Sequence, residues 1–196
     1  MTSDTHTAHT ATVKPTPASA DEVVTGLDAT VPYILGRDEG LHHHFLNHLA
    51  TTKVVGDDAA MSAVEFTMLR GFGPPLHRHD VDDEIIVVLD GTIAVRSGND
   101  KHIATSGAMA FLPHAVPHSF QVLSATARIL TISSSAGEPS PSFDSMVAEL
   151  GERADGPTMP EPSEIDPGHV AAVNSAHGIE VLGPPPSPLD EGVPVD

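Results

Sequence analysis

The stretch that decides the fold is GFGPPLHRHDVDDEIIVVLDG, residues 71–91. Residues two apart on a β-strand point to one face, so His77 and His79 aim both imidazoles at one point. Glu84 follows His79 at an odd offset, and an uninterrupted strand would turn it to the opposite face. The polar interval Asp80 to Asp83 reads as a turn that resets the phase, so that Glu84 begins the next strand facing the same interior. Ile85 to Leu89 is a continuous apolar run, the pattern expected of a strand buried on both faces. Asp90-Gly91 then reads as a tight hairpin turn into Thr92 to Arg96. Two neutral imidazoles and a carboxylate suit a borderline divalent ion.

A second segment, GAMAFLPHAVPHSF at residues 107–120, supplies the other half of such a site. Gly107 permits a turn, Phe111 and Leu112 are strand-like, and Pro113 to Pro117 make a constrained loop. His118 then begins a strand that can run back through the interior. Three histidines and one glutamate would leave two of six octahedral positions open for water, dioxygen or a substrate. The ion would be one of Fe, Ni, Mn, Co, Cu or Zn, one per chain.

Outward from these segments the texture remains that of strands. Ala63 to Leu69 alternates, with Val64, Phe66 and Met68 on one face. Tyr33 to Leu35, Phe45-Leu46, Val54-Val55, Met109 to Leu112, Ser119 to Leu123 and Arg128 to Ile132 are further short candidates, and Gly98-Asn99-Asp100 is a second hairpin turn. Short strands joined by Gly and Pro turns, with no helix between them, argue for an all-β antiparallel sandwich or barrel. After Ala136 the period changes. Phe143, Met146, Val147 and Leu150 fall on one helical face, ended near Gly151, and a second short helix runs from Pro167 to about His177. The expected organisation is a disordered arm over residues 1–26 and a barrel over 27–136. A helical extension packed on the barrel follows over 137–182, then a flexible Pro-rich acidic tail over 183–196.

Composition narrows the function. The 196 residues carry a formal charge of -18, from 27 acids against 9 Lys and Arg, which disfavours nucleic acid and anionic membrane surfaces as partners. No Cys is present, so a metal can be held only by His nitrogen and carboxylate oxygen. No apolar run approaches the roughly 18 residues of a membrane span, and the N-terminus lacks a signal pattern. The cytoplasm is the expected address.

The two segments resemble the two motifs of the cupin family. The first family motif reads G-x5-H-x-H-x4-E-x6-G, and Gly71, His77, His79, Glu84 and Gly91 satisfy every position. The second reads G-x5-P-x-G-x2-H-x3-N. Gly107, Pro113 and His118 match it, while Ala115 replaces the Gly and Val122 the Asn. Those departures concern turn shape and strand packing more than metal binding. The resemblance covers about Gly40 to Ser135 and implies a cupin barrel, a double-stranded β-helix or jelly roll. It also implies a divalent metal on His77, His79, Glu84 and His118.

Gly73-Pro74-Pro75-Leu76-His77-Arg78-His79, the pair Asp83-Glu84 and the helix after the barrel resemble bacterial single-domain cupins of the quercetin dioxygenase-like kind. That resemblance implies an oxygenase acting on a small aromatic or enolic compound with dioxygen, Glu84 acting as base. The alternatives are a metal-dependent isomerase, cyclase, lyase or dehydratase, or a non-catalytic small-molecule-binding module. A homodimer is a further implication of the family. Phe66, Met68, Met109 and Phe111 are candidates for the substrate pocket or for barrel core, and His114 for the rim. His42, His43, His44 and His48 read as strand surface, with the cavity mouth as the sharper alternative.

Overall fold

The computed structural model describes residues 26–56, 59–135 and 143–187. The strands in chain order are β1 (Leu41–Phe45), β2 (His48–Val54), β3 (Ser62–Leu69), β4 (His77–His79), β5 (Asp82–Asp90), β6 (Thr92–Ser97), β7 (Asp100–Thr105), β8 (Met109–Leu112), β9 (His118–Val122) and β10 (Thr126–Ser135). Helix α1 (Phe143–Leu150), strand β11 (Glu152–Arg153), helix α2 (Pro167–Ala176) and strand β12 (Ile179–Val181) follow. The expected all-β jelly roll is therefore borne out. One antiparallel sheet runs β11-β1-β2-β3-β10-β5-β8 and faces a second, β12-β4-β9-β6-β7. The expected arm 1–26 and tail 183–196 lie outside the described residues, save for Gly26 and residues 183–187.

The alternation read in residues 63–69 sets the inner face. Val64, Phe66 and Met68 are buried, and their partners Thr131, Ile129 and Ala127 on β10 are buried with them. Ile86 and Val88 continue these rows across β5. Ile93, Val95 and Val122 close the core from the second sheet. Each such aliphatic side chain contributes about 1.5–3 kcal/mol by leaving water. Phe45 packs on Phe66 at 5.7 Å between ring centroids, and Phe66 on Phe143 of α1 at 6.0 Å.

Three local expectations change. Tyr33 to Leu35 is not a strand; it is a loop held by the Tyr33 hydroxyl, which donates to the Lys53 carbonyl at 2.8 Å. Asp90-Gly91 is a corner rather than a hairpin, because β5 and β6 belong to different sheets, and Gly91 supplies the positive φ of 85° that the corner needs. The outer face of β5 is only half covered, with Leu89 41% exposed. An apolar run alone does not show whether a second layer covers the sheet. By contrast Gly98-Asn99 makes the expected hairpin, with Ser97 opposite Asp100.

The residues after the barrel close over one end of it. The Asp166 carboxylate caps α2, accepting from Gly168 N at 2.8 Å and His169 N at 3.3 Å, with Pro167 at the first helical position. Strand β12 pairs with β4, placing Ile179 opposite His79 and Val181 opposite His77. Leu182 N then donates to the Leu76 carbonyl at 2.7 Å. Gly73 marks another close approach: a Cβ there would lie 1.8 Å from the Phe120 carbonyl oxygen, so no side chain fits. No helix of the described residues is long and apolar enough to cross a membrane.

Candidate metal centre and its cavity

Strand β4 runs beside β9, which sets His77 directly opposite His118. Asp80 and Val81 carry the chain from β4 to β5 in the facing sheet, so Glu84 reaches the same interior point from the other wall. One ligand atom from each of His77, His79, Glu84 and His118 lies within 4.8 Å of the others. Glu84 Oε2 is 3.2 Å from His79 Nε2 and 3.5 Å from His118 Nε2. His79, Glu84 and His118 are buried.

The tautomers are set from outside the cluster. His77 Nδ1 donates to the Pro75 carbonyl at 2.8 Å and His118 Nδ1 to the Val116 carbonyl at 2.9 Å. Each bond commits the Nδ1 proton and leaves Nε2 as a lone pair facing the cluster. His79 Nε2 and His118 Nε2 find no hydrogen-bond partner that satisfies them among the described residues. A buried polar atom left so costs about 1–3 kcal/mol. Burial lowers the His77 pKa to about 4, with the neighbouring His118 adding to the effect. Burial pushes the Glu84 carboxyl up, yet the imidazoles of His118 and His79 beside it hold it well below the usual carboxylate range. Unsatisfied imidazole nitrogens converging on an ionised carboxylate are the donor set of a divalent ion of the borderline kind, and the cluster fits one.

His77 and Glu84 line a cavity of about 590 Å³, with His79 and His118 buried beside them. Residues 64–133, which carry all four residues of the cluster, match the family described as "Cupin domain". This segment is a cupin domain. The chain is 30% identical over 104 residues to quercetin 2,3-dioxygenase of Bacillus subtilis (strain 168), covering 52% of this chain and 31% of that protein. It therefore spans about a third of the length of that relative. Among solved structures it is similar to a Cupin 2 conserved barrel domain protein from Salinispora arenicola, at 16% identity and a TM-score of 0.42, covering 47% of this chain and 80% of that one. It is also similar to TT1209 from Thermus thermophilus, at 25% identity and a TM-score of 0.40, covering 44% and 83%.

Within this cupin, Phe66 and Met68 line the cavity, but Met109 and Phe111 do not. They are 62% and 55% exposed, because β8 turns Leu112 inward beside Glu84 and sets Phe111 beside Ile85 on the outer face. His114 does not line the cavity either; it is exposed, its backbone N and Nδ1 both bonded to Asp83 Oδ1, at 2.9 and 2.7 Å. That pairing also accounts for Asp83, whose pKa it lowers and which takes no place among the ligands.

Sequence reasoning missed much of the remaining wall. Phe45, Phe72, Phe120, Phe143 and Met146 face the cavity, as do Ile165, Val170 and Asn174 before and within α2. His48, read as strand surface, is also in the wall. His42 and His43 are buried rather than exposed. The alternation His48, Ala50, Thr52 was available as a signal, but it acquires a direction only through the pairing of Ala50 with Phe66.

Proposed function

We propose that this cupin is a metal-dependent dioxygenase acting on a small aromatic or enolic compound. The observation that carries the reading is the convergence of three imidazoles and one carboxylate, of which His77 and Glu84 open onto a largely apolar, aromatic-lined cavity. The similarity to quercetin 2,3-dioxygenase supports the choice of dioxygen as co-substrate.

His77, His79, Glu84 and His118 would hold the ion. When bound, it supplies Lewis acidity that stabilises negative charge on a substrate oxygen. Glu84 is the general base: one carboxylate oxygen accepts the proton of the substrate hydroxyl as the enolate forms. Phe45, Phe66, Phe72 and Phe143 present rings to a planar substrate. A homodimer is part of the same proposal, checked by light scattering of the purified chain.

The test is oxygen uptake by the purified, iron- or nickel-loaded protein given a panel of flavonols and related enols. Uptake linked to substrate loss, and abolished in Glu84→Gln, is the expected result. Turnover of a substrate without oxygen, retained with zinc, would replace this reading with a non-redox one. A protein purified without metal, whose ligand affinity is unchanged in His77→Ala, would make the barrel a binding module.

A further inference from the structure

The inner face of the larger sheet has a polar group at each end. At one end Glu84 lies opposite Ser133, and Ser133 opposite Ser62. From Ser62 the inward positions of β3 run through Val64 and Phe66 to Met68, all buried. Strand β2 lies alongside, with Ala50 opposite Phe66 and His48 one inward position beyond it. His48 and Glu84 therefore stand at opposite ends of one wall, and apolar side chains dominate between them. Strands rise about 3.3 Å per residue, so the two groups are separated by more than one ring's width.

His48 is 8% exposed and lines the cavity; its Nδ1 is sealed off without a hydrogen-bond partner among the described residues, so the nitrogen left to a ligand is Nε2. Its ring stands edge-on to Phe72, with centroids 4.2 Å apart. Nothing in the metal cluster or in the proposed role of Glu84 uses it. A polar side chain held in an apolar wall is costly unless a ligand satisfies it. Burial lowers its pKa to about 4, against a weaker opposing effect of the Asn47 carbonyl, so the ring is neutral near pH 7. A neutral imidazole offers one donor and one acceptor, which suits a hydroxyl or carbonyl rather than an anion.

We propose that His48 is the polar anchor for the end of the substrate farthest from the metal ligands. The cavity then selects an elongated, largely apolar molecule: an enolic oxygen pair at the Glu84 end and a hydroxyl or carbonyl at the other. The assignment rests on the dioxygenase reading above and names the substrate class of that site.

The experiment compares 3-hydroxyflavone with its 4′-hydroxylated derivative, which adds one hydroxyl remote from the enolic pair. Each is titrated into the full chain by absorbance, and the ratio of the two Kd values is taken, so that a general disturbance of the cavity cancels. The wild-type protein is expected to favour the hydroxylated compound. In His48→Phe that preference falls about tenfold, and in His48→Gln, which keeps a donor and an acceptor, part of it returns. A ratio unchanged in both variants overturns the role of His48 while leaving the dioxygenase reading intact. Failure of the wild-type protein to bind either flavonol overturns that reading and the anchor with it.

Discussion

The chain carries three consecutive histidines on β1, His42 to His44, and only two on β4, His77 and His79, yet it is β4 that belongs to a cluster able to hold a metal. The β1 run is denser and is also largely buried. Two of its three side chains are taken up by other partners: His42 Nδ1 contacts Thr51 Oγ1 at 3.1 Å, and His44 Nε2 bonds the Thr158 carbonyl at 3.1 Å. Burial lowers the pKa of both His42 and His43; Lys53 and Arg153 lower that of His42 further, against a weaker pull from Asp38, and Arg153 lowers that of His43. On β4 the two imidazoles share a face, and strands from two sheets bring a third imidazole and a carboxylate to meet them. Histidine density does not make a site; convergence with a charge of opposite sign does.

The comparison breaks most readily on metal content. Removing one ligand in His79→Ala or His118→Ala is expected to weaken metal binding by more than the roughly 10- to 100-fold that loss of an outer partner costs. His42→Ala should leave the metal content of the purified protein unchanged. Elemental analysis of the variants decides, and equal losses from β1 and β4 would erase the distinction.

A smaller effect concerns acid stability, where a buried histidine without a carboxylate should be a liability. His48 has a folded pKa of about 4 against an ordinary 6.5. Between those values the unfolded chain binds the proton and the folded one does not, so stability present above pH 6.5 is lost as the pH falls towards 4. The loss is on the order of 2–3 kcal/mol for this group. Urea titrations of the metal-stripped protein at about pH 7 and about pH 5 should show it, and His48→Gln should reduce the difference. An unchanged difference would mean that His48 is already paired.

The smallest effect lies in the loop behind the cluster. Ala115 holds a left-handed φ of 60°, and its N donates to the His79 carbonyl at 2.8 Å. The family motif has glycine there for that reason: a Cβ costs about 1 kcal/mol in this region. Ala115→Gly is expected to raise the stability by about that amount, read as a higher urea midpoint, without loss of metal. A lower midpoint would show that the Ala115 methyl packs more favourably than its backbone is strained.

Two kinds of information were legible to different depths. Ligand identity was readable because it rests on residue type and on short spacings, and the turn between His79 and Glu84 was signalled by its polar residues. Met109 and Phe111 were misplaced because alternation distinguishes two faces of a strand without saying which is inside. That choice was made by the register of β8 on β5, through Leu112 opposite Glu84. His48 was missed for the same reason on β2. The part played by α2 and β12 in the cavity was hidden because β12 pairs with β4, about a hundred residues earlier, and α2 packs on β12.

The amino-acid order by itself determined the chemistry available here: no thiols, an acidic surface, short strands, and imidazoles and a carboxylate at spacings a pleated backbone can aim at one point. Only the tertiary structure decided what surrounds that point. Which face of each strand turns inward, and which later segment covers the opening, depend on pairing between distant residues, and no local periodicity carries that information.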